Sequence, residues 1–120
     1  MYEIKTNAVR NTLFVTLKGV FTAQQSKEIL KDIPKKLSQL KNDFTLLTDM
    51  CSLKEIEDQA RPYIEKTMNL LNKHGVSKII RIIPESSDDI GFNIMSLFHY
   101  SKDVKITTFK SFKELVENIL

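Results

Sequence analysis

The stretch FTLLTDMCSLKEIED, Phe44 to Asp58, decides how this chain folds. Phe44, Leu46 and Leu47 make a short apolar run that closes at Asp49. Residues 50–58 turn polar, and Asp58 opens a long amphipathic segment. Such a run reads as a buried parallel strand, followed by the loop at its carboxyl end and a helix N-terminus. In open α/β sheets, that edge is where ligands and partners are usually met. No segment of the chain specifies a reaction.

Toward the N-terminus, residues 2–8 alternate, with Tyr2, Ile4 and Thr6 set against Glu3, Lys5 and Asn7. Residues 12–18 place Leu13, Val15 and Leu17 on one side and Phe14 on the other. Both read as strands with one buried face. The link around Val9–Asn11 is too short for a parallel crossover, so the two form an antiparallel hairpin. Asn11 tolerates the positive φ such a turn often needs. Thr22 and Gln25 have capping-box spacing. Ile29, Leu30, Ile33, Leu37 and Leu40 then recur at three and four, an amphipathic helix to about Leu40. Pro34 predicts a bend near Leu30–Ile33, or two short helices. With strands on either side, this segment completes a right-handed βαβ unit.

Toward the C-terminus, Asp58 reads as an N-cap, with Pro62 in the first turn, where a missing N–H costs little. Ala60, Tyr63, Ile64, Thr67, Met68 and Leu71 form the buried stripe, and Gly75 after Lys73-His74 ends the helix. SKIIRII, Ser77–Ile83, is a central strand ended by Pro84. Asp88 or Asp89 caps a helix running to about Ser101, and Val104–Phe109 is the last strand. Ser111 with Glu114 is a second capping box. Leu115, Val116, Ile119 and Leu120 form the buried side of the terminal helix. The expected fold is α/β: a five-stranded mixed sheet with an N-terminal antiparallel hairpin, then parallel βα units, about four helices, in one domain over residues 1–120.

Composition narrows the function classes. The 120 residues are 42% hydrophobic and 28% charged, enough chain for a real core and no sign of general disorder. The net charge of +3 is too weak to argue for nucleic acid. Residues 1–41 carry 8 Lys/Arg against 3 Asp/Glu, so the first third is basic. The single cysteine, Cys51, excludes an intrachain disulfide and fits a reducing compartment. No apolar run approaches the ~20 residues of a membrane span, and the N-terminus has no signal-peptide character. A cytoplasmic protein without integral membrane association is expected. The glycines at 19, 75 and 91 cannot write a Walker or dinucleotide loop, and His74 and His99 fall in no metal-binding spacing. Neither a cofactor nor a metal is expected.

The element order, with Gly19 after the second strand, Asp49 closing the third, and VKITTF followed by a capped helix, resembles the STAS domain. It looks most like the small SpoIIAA-like proteins, relatives of anti-sigma-factor antagonists. The resemblance covers the whole chain and implies a non-enzymatic regulatory or protein-interaction domain. Regulatory members bind a partner kinase and are switched by phosphorylation of a Ser or Thr at the start of the second main helix, about nine positions after the strand-ending Asp. Counting from Asp49 lands on Asp58, so the resemblance implies a fixed negative charge and no ordinary phosphoserine. Asp carries less charge and fewer acceptors than a phosphate. Asp58 also reads simply as a helix N-cap.

Within the predicted helix Asp88–Ser101, Ile90, Ile94, Leu97 and Phe98 make one apolar stripe, while Phe92, Met95 and His99 make a second. A surface helix needs one stripe; the second is buried elsewhere, lines a pocket, or marks a partner surface. The candidate contact residues are therefore Asp49, Ser52 and Asp58 at the strand edge and Phe92, Met95 and His99 on this helix. The expected partner is another protein, with homodimerisation through the second stripe as one form. The alternative is a module for a small apolar ligand or lipid, recognisable by an apolar pocket. Lys27, Lys31 and Lys35 form a basic stripe, read as a solvated helix face. A third reading, an enzyme using Cys51 or the carboxylates of Asp49 and Asp58, requires those groups to converge beside a histidine.

Overall fold

The structure, a computed structural model, describes residues 1–83 and 100–119. Strands β1 (Tyr2–Asn7) and β2 (Thr12–Phe21) form the antiparallel hairpin, with Tyr2 opposite Leu17 and Asn7 opposite Thr12. Asn11 closes the turn at φ 49°. Its side-chain amide donates to the carbonyls of Lys41 and Asn42, and its Oδ1 accepts the Lys41 N–H at 2.8 Å. One residue thus makes the turn and ties it to the chain entering the third strand.

Helix α1 (Ala23–Leu37) leads to β3 (Phe44–Ile56). A 3₁₀ turn, Asp58–Ala60, opens α2 (Arg61–Lys73), and β4 (Val76–Ile82) follows. Strand β5 (Lys105–Phe109) and helix α3 (Phe112–Ile119) complete the described elements. The sheet order is β1-β2-β3-β4-β5, and every pairing after the hairpin is parallel. The expected five-stranded mixed sheet is present, with three α-helices among the described residues.

Strand alternation divides the core in two. Leu13, Val15, Leu17, Leu46, Met50 and Ile79 meet Ile29 and Ile33 of α1 and Ile64, Met68 and Leu71 of α2 in one cluster. On the other face, Ile80, Ile82 and Phe109 pack with Leu115 of α3, and Leu47 joins them. Strand β4 contributes to both, which is why it reads as a nearly continuous apolar run. Full burial of each such side chain stabilises the fold by roughly 1.5–3 kcal/mol.

Local chemistry explains the helix ends. The Thr22 hydroxyl accepts the Gln25 N–H at 3.1 Å, so one arm of the expected capping box forms. The Gln25 side-chain oxygen does not reach back and, among the described residues, has no hydrogen-bond partner. Another free donor of this helix end, the Ala23 N–H, donates instead to Glu57 Oε1 at 2.9 Å. At α3 the Ser111 hydroxyl accepts the Glu114 N–H, while the Glu114 carboxylate accepts the Lys110 N–H. Gly75 terminates α2 at φ 90°.

Of the two outcomes expected at Pro34, two short helices is excluded: α1 is a single element through Leu37. Pro34 stands in its last turn, where only one backbone bond is forfeited, and its own carbonyl still accepts the Ser38 N–H at 3.2 Å. The expected end of β3 is corrected: the strand does not end at Asp49 but continues to Ile56. Strand β2 also runs on, and Lys18, Gly19, Val20 and Phe21 pair with Ser52, Leu53, Glu55 and Ile56. Residues 50–56 are thus strand where the sequence reads as loop, and only Glu57 separates β3 from the 3₁₀ turn. The helix expected over 88–101, with Phe92, Met95 and His99, lies outside the described residues.

Candidate functional site

The carboxyl edge of the sheet is built by the overhang of β2 and β3. Strand β4 leaves β3 after Asp49 pairs with Ile82, so the two longer strands continue as a two-stranded ribbon. The ribbon contains two register shifts, between Thr16 and Lys18 and between Gly19 and Val20. Each places an extra residue in β3, the signature of a β-bulge. At the first bulge the Cys51 N–H donates to Asp49 Oδ1 at 3.0 Å. Asp49 therefore satisfies a backbone donor that the bulge displaces from the ladder.

Ser52 lies on this ribbon and is exposed, as are Cys51, Lys54 and Glu55; Val20 across the ladder is 42% exposed. The far end is anchored. The Glu57 N–H donates to the Phe21 carbonyl, and the Glu57 carboxylate accepts from Ala23, beside the positive end of the α1 dipole. Asp58 follows with its side chain 92% exposed. It makes no capping hydrogen bond; the N-cap position of the 3₁₀ turn is Glu57. The N-cap reading of Asp58 is therefore corrected. Among the described residues its carboxylate pairs with the Arg61 guanidinium alone, at 3.6 Å. Because Asp49 does not close β3, counting onward from it no longer fixes Asp58 as the counterpart of a phosphorylated position. Asp58 nevertheless opens the second helical segment at this edge.

Among the described residues, the groups of the catalytic reading do not form an activated site. Although Cys51 is an exposed residue, partial desolvation of its thiol against the ribbon pushes it up to about 11 from 9.0, and the hydrogen bond to Asp49 and its charge add to the rise. A thiol so shifted is protonated at neutral pH, the opposite of an activated nucleophile. His74 caps the carboxyl end of α2, just before β4 begins, at the opposite edge of the sheet. Among the described residues there is no cluster of three or more side chains suited to a metal. The basic stripe is exposed, and Lys27 has a local role: its Nζ lies 5.3 Å from the Tyr63 ring centre, with Lys66 5.6 Å away. That contact links α1 to α2.

A second feature was not anticipated from the residues that form it. Between the sheet and helices α1 and α2 lies a cavity of about 70 Å³. Its walls are largely aliphatic, including Val15, Ile29, Leu46, Met68 and Ile79. Thr48, Arg81 and Tyr100 also line it. Thr48 and Arg81 are register partners on β3 and β4 and face the same side of the sheet. Arg81 is 2% exposed. The signal in the sequence was the arginine itself, a charge inside the run SKIIRII, since arginine is almost never fully buried without a partner. Burial raises the Tyr100 hydroxyl above the ordinary tyrosine range, against the opposing charge of Arg81.

The fold these elements define is SpoIIAA-like. It superposes over 99% of this chain and 94% of the other, with a TM-score of 0.74 and 11% identity, on an uncharacterized DUF3478-family protein from Shewanella loihica described as having that fold. It also matches the anti-sigma-factor antagonist SpoIIAA in its unphosphorylated form, with a TM-score of 0.67 and 12% identity over 99% of this chain and 97% of that one. The phosphorylated form of SpoIIAA, a Bacillus cell-fate determinant, matches with a TM-score of 0.62 and 13% identity over the full length of both chains. No protein-family model matches the sequence. No curated protein matches it either. Among the described residues no helix is long and apolar enough to cross a membrane.

Proposed function

We propose that this chain is a non-enzymatic regulatory module that binds another protein through the carboxyl edge of its sheet. The observation that carries this reading is the β2–β3 ribbon. It extends past the sheet, exposes Cys51, Ser52, Lys54 and Glu55, and delivers the chain to the start of α2. Its base is held by Asp49 and its end by Glu57, so the surface is pre-formed, and little ordering entropy is lost on binding. The likeness to an anti-sigma-factor antagonist supports a protein partner. The first two turns of the second helical segment, DQARPYIE, carry no Ser or Thr. The proposed module therefore works without the phosphoserine switch, with Asp58 as a constant charge.

Site-specific photocrosslinking tests this. A crosslinking residue at Ser52 or at Asp58 is expected to trap the same discrete protein in cells, while one at Lys5 on the far edge strand does not trap it. Equal labelling at all three positions, or none at Ser52 and Asp58, overturns the proposal. A second copy of this chain as the trapped partner is the homodimer form, and light scattering then shows a dimer at high micromolar concentration. The cavity, with its largely aliphatic walls, favours a second reading, a module for a small apolar ligand or lipid.

A further inference from the structure

We propose that strand β1 is a self-pairing edge: it adds to β1 of a second copy in antiparallel order, joins the two sheets into one, and is held in register by Glu3 and Lys5. The inference goes beyond the ribbon and does not depend on the ribbon's partner.

The pairing with β2 fixes which backbone groups of β1 are vacant. The Met1 amino group donates to the Lys18 carbonyl at 3.1 Å, and the Lys18 N–H donates to the Met1 carbonyl at 2.9 Å. That exchange marks a hydrogen-bonded pair, and such pairs alternate along an antiparallel ladder. Glu3, Lys5 and Asn7 therefore point their backbone groups at β2, while Tyr2, Ile4 and Thr6 point theirs outward. Strand β1 stands at the end of the sheet order, so among the described residues no strand takes up those outward groups. Edge strands are commonly guarded by a proline or a bulge. β1 has neither, and its register with β2 runs unbroken from Tyr2 to Asn7. Its inner face is tied down: the Tyr2 hydroxyl donates to Asp32 at 2.8 Å, the Thr6 hydroxyl donates to Gln39 at 2.6 Å, and Ile4 packs on the core. The edge is therefore ordered before any partner arrives, which lowers the entropic cost of pairing.

Charge then selects the occupant. The antiparallel register that uses every outward group sets Ile4 opposite the second copy's Ile4 and Tyr2 opposite its Thr6. Each such pair exchanges both backbone bonds. In that register Glu3 falls opposite the second copy's Lys5, and Lys5 opposite its Glu3. These are non-hydrogen-bonded positions, where facing side chains approach most closely. The adjacent registers that still match outward groups lose one pair and set Glu3 against Glu3 or Lys5 against Lys5, which is repulsive. Both side chains are available on the solvent face, exposed and already joined within one strand at 3.1 Å. The register richest in backbone bonds is thus also the one in which opposite charges meet, and a two-fold axis makes the match reciprocal. An unrelated strand has no reason to carry that code; a second copy of this chain always does.

Sedimentation equilibrium on the full chain tests this. One strand per copy makes a small interface, so a monomer–dimer equilibrium in the high micromolar range is expected at low salt. Glu3→Lys or Lys5→Glu alone sets like charges opposite each other twice in the dimer and should weaken it at least ~tenfold. Mixing the two variants in equal amounts should restore association as a heterodimer, because every facing pair is then opposite in sign. The double reversal, Glu3→Lys with Lys5→Glu, should return a homodimer close to wild type. Both positions are exposed, so the reversals leave the core intact. A wild-type chain that stays monomeric to about a millimolar overturns the proposal. So does a dimer that neither reversal weakens, since a dimer through the ribbon is indifferent to Glu3 and Lys5. So do reversed variants whose mixture fails to associate. The reversals leave Ser52 and Asp58 unchanged, so failure here leaves the ribbon proposal standing, and failed crosslinking at the ribbon leaves this one intact.

Discussion

Strand β3 is one element with two unlike halves. From Phe44 to Asp49 it lies between β2 and β4, with Phe44 and Leu46 almost wholly buried. From Met50 to Ile56 it pairs with β2 and carries exposed side chains at Cys51, Ser52, Lys54 and Glu55. The first half is held by burial, which depends on which residues stand there. The second is anchored in the core by Met50, Leu53 and Ile56, while its exposed positions are carried by the backbone ladder, two bulges and an anchor at each end. A binding surface belongs on the exposed positions of the second half, Cys51, Ser52, Lys54 and Glu55, because these can change without emptying the core.

The sharpest way to break this comparison is to truncate one leucine in each half. Leu46→Ala should cost about 2–5 kcal/mol in urea unfolding, the range for a buried leucine that leaves a cavity. Leu53, only partly buried against the same core, should cost less than half as much. Equal losses would mean the ribbon is as much a part of the core as the first half.

The anchors come next in size. Glu57→Ala removes the acceptor for the Ala23 N–H and should cost on the order of 0.5–2 kcal/mol, as loss of a helix cap does. Hydrogen exchange should quicken at Ala23 and along residues 52–56, while residues 44–49 stay protected. Uniform quickening would show that the two halves open together.

Asp49→Ala should cost about 0.5–1.5 kcal/mol by orphaning the Cys51 N–H. Its more specific effect is on the thiol. Removing the carboxylate lowers the Cys51 pKa from about 11, so iodoacetamide should alkylate Cys51 faster at pH 9 in the variant than in the wild type. The same shift has a stability consequence. The folded pKa is raised above the unfolded value, so the contribution is full below about pH 9 and is lost as pH rises to about 11. Melting temperatures of wild type and Cys51→Ala, compared from pH 8 to 11, should show the wild type losing more. Parallel curves would mean that folding does not raise the thiol's pKa.

The smallest expected effect is at Asp58. With its side chain 92% exposed and no capping bond, Asp58→Ala should change stability by less than about 0.5 kcal/mol. A loss near 1 kcal/mol in a thermal melt would restore the cap that the sequence implied.

The difference between the halves also governs what could be read in advance. Phe44, Leu46 and Leu47 announce a strand because a strand buried on both faces must be apolar. The ribbon did not announce itself. Its inward residues Met50, Leu53 and Ile56 stand three apart, because each bulge inserts a residue and breaks the two-residue period. Charged and small residues fill the intervals, so the segment looks like a loop. Asp58 misled for a related reason. Aspartate before an amphipathic run favours a cap, yet Glu57, one residue earlier, was drawn by long-range pairing to the end of a different helix. The second apolar stripe, Phe92, Met95 and His99, lies outside the described residues and so does not enter the comparison.

What the sequence by itself determined is the succession of elements: two alternating strands joined by a turn at Asn11, helices marked by capping spacings and stripes, and the buried runs between them. These follow from local periodicity and backbone preference, which act over a few residues and are written in order along the chain. Only the tertiary structure decided how far β2 and β3 run together, that Glu57 closes α1, and that Thr48, Arg81 and Tyr100 share the lining of one cavity. Those relations join residues far apart in sequence. They arise when strand register and helix packing bring distant positions onto one face, and no local pattern encodes which positions those will be.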